Sequence, residues 1–94
     1  MKYEDIKNWE FYEPIVDTII LDAIDYCPGS NSPGHLSPAR VQFLSKKGFS
    51  YAIILIEKLI ELKYFSPFPK KKALITKEEF QNIINKRKPE KQKL

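Results

Sequence analysis

Residues 49–62 constrain the fold of this chain more than any other stretch. Phe49, Ala52, Ile53, Leu55, Ile56, Leu59, Ile60 and Leu62 recur at spacings of three and four. They fill roughly half of a helical wheel. A helix that apolar cannot stand alone in water, so the rest of the chain must cover it. The chain has only 94 residues to do so, which means one small domain. Its 43% hydrophobic and 13% aromatic residues can close a modest core and argue against disorder throughout.

The flanking sequence names the other elements. Residues 1–12 are polar with interleaved Tyr3, Trp9, Phe11 and Tyr12, an arm or short helix whose aromatics fold onto the core. Pro14 suits a first helical turn, where its missing N–H costs nothing. Ile15, Val16, Ile19, Ile20, Ala23 and Ile24 then form one apolar stripe, so a first helix is expected over 14–25. Asp17, Asp22 and Asp25 fall on its wet side. Two Pro and two Gly in 27–34 end that helix in a loop. Ser37 reads as an N-cap with Pro38 at the first helical position. A second helix is expected over 38–46, burying Val41, Phe43 and Leu44, with Gly48 ending it. The third follows over 50–62. A short helix, a Gly-containing turn and a longer helix make a helix-turn-helix pattern.

Tyr64-Phe65 and Ala73-Leu74-Ile75 read as two short strands around the Pro-rich tip 66–72. That hairpin would be a wing. Thr76 with Glu79 three residues on is a capping box opening a fourth helix over 77–84, with Phe80, Ile83 and Ile84 inward. The expected fold is therefore mainly α with a small β-hairpin wing. It is a single winged helix-turn-helix domain over 1–85, followed by a disordered basic tail, 86–94.

The net charge is +4, from 16 Lys and Arg against 12 Asp and Glu. It is unevenly spread. Residues 1–45 hold three bases and seven acids, net −4, and residues 46–94 hold 13 bases and five acids, net +8. Such asymmetry marks an interaction face or tail at one end. The bases cluster at Lys46 and Lys47, before the third helix, and at Lys70, Lys71 and Lys72, in the wing. Helix-turn-helix domains touch flanking phosphates from such places. On the third helix the outer arc holds Ser50, Tyr51, Ile54, Glu57, Lys58 and Glu61. Ser50 and Lys58 suit phosphates, Tyr51 can hydrogen-bond or stack, and Ile54 can meet a thymine methyl. The arc has no Arg, Asn or Gln for bidentate base contacts, and Glu57 and Glu61 repel phosphates.

Catalysis and metal binding find little support. The chain has one Cys, Cys27, so it has neither an internal disulfide nor a Cys-based zinc site. His35 sits in a Gly/Pro loop without an acid or Cys at ligand spacing. No enzyme, cofactor, metal or small-molecule substrate is expected. No apolar run approaches the ~18 residues of a membrane span, and four acids in residues 1–13 argue against a signal peptide. A soluble, cytoplasmic protein with no membrane partner is expected.

Several short stretches also follow a family pattern. They are Val41-Gln42-Phe43, Gly48-Phe49-Ser50-Tyr51-Ala52 and Leu55-Ile56-Glu57-Lys58-Leu59, with Glu13-Pro14-Ile15 and Ala23 upstream. In these, residues 37–75 resemble the small C-terminal gamma domain of FtsK/SpoIIIE-type DNA translocases. The resemblance implies a winged helix that binds oriented DNA motifs through its third helix. Where the family carries Asn and Arg on that helix, this chain has Ser50, Tyr51 and Ile54. No Gly-rich phosphate loop with Lys-Ser/Thr accompanies it, so no motor is implied.

Two functions are therefore expected of the sequence. The first is double-stranded DNA binding by an accessory or regulatory protein through Lys46, Lys47, Ser50, Tyr51, Ile54, Lys58, Lys70, Lys71 and Lys72. The second is a protein-interaction module, homodimeric in one version, of a phage or mobile-element accessory or inhibitor protein, using the exposed face of the third helix and the N-terminal aromatic arm.

Overall fold

The computed structural model describes residues 3–26 and 34–87. A short 3-10 helix, Ile6–Asn8, leads into four α-helices: α1 Ile15–Asp25, α2 Pro38–Ser45, α3 Phe49–Glu61 and α4 Lys77–Arg87. Helix α2 packs against both α1 and α3, and α4 packs against α1. Val16, Ile19, Ile20 and Ala23 of α1 meet Ala52, Leu55, Ile56 and Leu59 of α3 in one core. These are two stripes of three-and-four spacing, each presenting one face. Ile6, Leu36, Val41, Tyr64, Phe65, Ile75 and Phe80 complete it from the shorter segments.

The start signals act as expected. The Ser37 hydroxyl accepts from the Arg40 N–H, with Pro38 in the first turn of α2. The Glu79 N–H donates to Thr76 Oγ1 at 3.0 Å, and the Thr76 N–H donates to Glu79 Oε1 at 2.9 Å. This reciprocal box closes two of the donors a helix start leaves open. At the α2 end, Lys46 takes the left-handed cap position with φ 61°, and Gly48 instead caps the start of α3 in extended backbone. Gly34 is required by close approach. A Cβ there would stand 2.1 Å from the carbonyl oxygens of both Ala23 and Ile24.

The expected β-hairpin wing does not form: among the described residues there is no strand or sheet, only an all-helical domain of four α-helices. Phe65 and Ala73 share one isolated antiparallel bridge, and His35 and Lys72 another. Two features of the sequence stop a ladder there. Pro67 and Pro69 offer no N–H, and Lys71 turns the chain with φ 47°. Tyr64 and Phe65 are moreover both fully buried. A one-faced strand would alternate buried and exposed residues. The mainly α part of the expectation holds.

Three core assignments also change, the first being Phe11 of the N-terminal segment, which is 53% exposed. Phe43 is 73% exposed and Phe49 is 58% exposed. Phe43 lies two residues past buried Val41, about 200° around the helix, so both cannot face inward. Phe49 opens α3 ahead of its first buried residue, Ala52. In addition, α4 continues to Arg87, which takes Lys86 and Arg87 out of the expected tail and into a helix. Residues 88–94 of that tail, and Cys27, lie outside the described residues.

Candidate nucleic-acid interface

The nine expected contact residues fall into two groups. Lys70, Lys71 and Lys72 line one side of an open cleft of about 530 Å³, and His35, Ser37 and Pro38 line the other. One backbone hydrogen bond and one backbone-to-side-chain hydrogen bond hold the cleft together. The Leu36 N–H donates to the Lys71 carbonyl at 3.0 Å, and the Lys72 N–H donates to Ser66 Oγ at 2.9 Å. The N-terminus of α2 opens into it. Lys71 Nζ donates to the Pro69 carbonyl at 3.1 Å and stands 5.3 Å from the Phe68 ring centroid. None of the three lysines makes an ion pair among the described residues, so each keeps a positive charge available to an anion.

The second group surrounds the start of α3, at the other end of α2. Eight residues of helix set the two groups about 12 Å apart along the α2 axis. Here the cations are engaged or displaced. Lys47 Nζ lies 3.1 Å from Glu13 Oε2 and 5.3 Å from the Tyr51 ring centroid. Lys58 pairs with Glu61 at 3.6 Å. Lys46 stays outside, its ammonium 6.0 Å from the Phe43 ring centroid. Tyr51 is half-buried, its hydroxyl has no partner among the described residues, and burial and then the Glu13 charge push its pKa up. The exposed outer row of α3 is Ser50, Ile54, Glu57 and Glu61. It offers phosphates two acids and one hydroxyl.

Four more acids of the first half, Asp5, Asp17, Asp22 and Asp25, are tied to other elements. Asp22 takes a bidentate grip from Arg40, at 2.7 and 2.8 Å, while the Arg40 guanidinium lies 4.3 Å from the Tyr26 ring centroid. Asp25 pairs with Lys77 at 2.9 Å. Arg87 reaches from the end of α4 to Asp5, Asp17 and the Tyr12 hydroxyl. Burial would raise the Asp5 carboxyl, but its bonds to the Arg87 guanidinium and the Lys7 N–H hold it below the usual range. Burial and the bond to Asp17 push Tyr12 up to about 12. Arg87 itself is raised, because the two carboxylates outweigh its own burial.

Sequence reasoning missed the role of His35, Ser37 and Pro38 as the wall facing the lysines. The N-cap at Ser37 marked the helix start that opens into the cleft, but nothing local tied it to residues 70–72. It also missed Arg87, whose partners lie 70 and 82 positions away. Among the described residues, no group of three His, Cys, Asp or Glu is placed to hold a metal ion. No described helix is long and apolar enough to cross a membrane. Comparison with protein-family models, curated proteins and solved structures finds no match.

Proposed function

We propose that the protein binds double-stranded DNA through its phosphates, at the cleft between the N-terminus of α2 and residues 70–72. Three consecutive lysines without ion-pair partners among the described residues, gathered in one open cleft, carry this reading. Phosphate neutralisation by lysine supplies most of the sequence-independent affinity for duplex DNA. The helix order supports it too. In a helix-turn-helix the first helix of the pair crosses the DNA backbone, and α2 is that helix. A duplex fits better than a single strand. Stacking platforms for unpaired bases use successive aromatic rings, and among the described residues the cleft is lined by one such ring alone, His35.

The contact is with the backbone and not with base edges. Glu57 and Glu61 are exposed on the outer row of α3, and Lys47 and Lys58 are already paired with Glu13 and Glu61. No bidentate base reader stands on that row. Filter binding at ~50 mM salt tests both points, since non-specific phosphate contacts register there. Two duplexes of unrelated sequence should bind about equally. Failure to retain either duplex overturns the proposal. A strong preference for one of them overturns the backbone-only contact.

A further inference from the structure

We infer that the outer face of α3 is the contact between two copies of this chain, packed antiparallel about a two-fold axis at Ile54. The cleft beside α2 does not use this face, so the inference goes beyond DNA binding and does not rest on it.

Three of the six exposed large apolar residues among those described lie here. Phe43, Phe49 and Ile54 are 73%, 58% and 47% exposed, on the end of α2 and the first half of α3. Scattered apolar residues need no explanation, but a local group of large ones does. Charge selects the occupant. The N-terminal approach to α3 carries Lys46, exposed and without an ion pair among the described residues. The C-terminal half carries Glu57 and Glu61 on the exposed row, and the Glu61 side chain is 70% exposed despite its pair with Lys58. This face thus has Ile54 at its centre, a positive end where Lys46 lies beside the exposed Phe43, and a negative end. Such a face complements itself when a second copy is turned end for end. Ile54 sits one residue before the midpoint of the 13-residue helix. Turning about it sets Ile54 on Ile54 and brings Glu61 of each copy to the turn before α3 of the other, where Lys46 lies. A parallel arrangement would set Glu61 on Glu61 and Lys46 on Lys46. Closed two-fold dimers are the commonest oligomers and need just this kind of self-complementary patch. Like charges placed face to face suppress the wrong register.

Sedimentation of the full chain over a concentration series tests it. The wild type should pass from monomer to dimer as concentration rises. Ile54→Asp should stay monomeric while keeping its helical circular dichroism, because the residue it replaces is outside the core. Glu61→Lys alone and Lys46→Glu alone should each weaken the dimer about tenfold, equivalent to about 1.4 kcal/mol. Together they should restore it, because the swapped charges again face their opposites. A wild type that remains monomeric throughout overturns the inference. So does an Ile54→Asp protein that still dimerises, or a double variant no better than the worse single one.

Discussion

Arg87 ties together two parts of the chain that lie 82 positions apart in sequence. Its side chain is 12% exposed, and the carboxylates of Asp5 and Asp17 are 25% and 19% exposed. Removing the cation would leave two carboxylates crowded in a poorly hydrated place, with one Asp17 oxygen already lacking a partner among the described residues. Arg87→Ala should cost about 2–3 kcal/mol, below the range for a fully buried pair because some water reaches this one. Urea unfolding near neutral pH would measure it, and Arg87→Lys should recover only part, lacking the planar fork. The Asp5 pKa is lowered in the fold. Its contribution is therefore present above the unfolded carboxylate pKa and lost as pH falls through the folded value. The tyrosines work in the opposite sense. Burial, foremost, pushes both Tyr12 and Tyr64 up to about 12. Folding thus favours their protonated forms. That stability is complete below the ordinary tyrosine pKa near 10 and is lost as pH rises toward about 12. Circular dichroism across this window should show alkaline destabilisation, and Tyr64→Phe should make the decline shallower.

At the scale of elements, the helices were legible where a local rule sets them. The stripes of α1 and α3, the Ser37 cap and the Thr76–Glu79 box each need only neighbours in sequence. Thr76→Ala removes the acceptor for the Glu79 N–H at a helix held to the core by Phe80. It should lower stability by about 1 kcal/mol in urea unfolding, with α4 exchanging its amide protons faster. The hairpin was misread because Tyr64-Phe65 and Ala73-Leu74-Ile75 have strand composition. Composition does not say that Tyr64 and Phe65 will both be swallowed by the core. Edge-to-face packing with Phe80, 5.7 Å between centroids, and with Tyr3, 5.8 Å, draws Tyr64 inward. Phe43 and Phe49 were misread for the converse reason. Their apolar character suggested burial, and only the rotation of α2 and the boundary of α3 turn them outward.

For the whole molecule, the meaning of the charge changes once partners are assigned. The described residues hold twelve cations and eleven acids, so the chain's +4 shrinks to +1 there. Five of those cations, Arg40, Lys47, Lys58, Lys77 and Arg87, are engaged by acids. The basic clusters were legible as clusters. Which of them faces an open space was not, because that depends on α2 and residues 66–72 meeting through His35, Leu36, Lys71 and Lys72. The central claim is that Lys70, Lys71 and Lys72 hold phosphates. Its most direct test is the salt dependence of duplex DNA binding for the wild type and for the variant with all three lysines changed to Gln. Each lost phosphate contact removes about 0.9 from the slope of log affinity against log salt. The variant slope should therefore be shallower by about 2.7, with affinity reduced on every sequence alike. Equal slopes and equal affinities for the two proteins would contradict the claim.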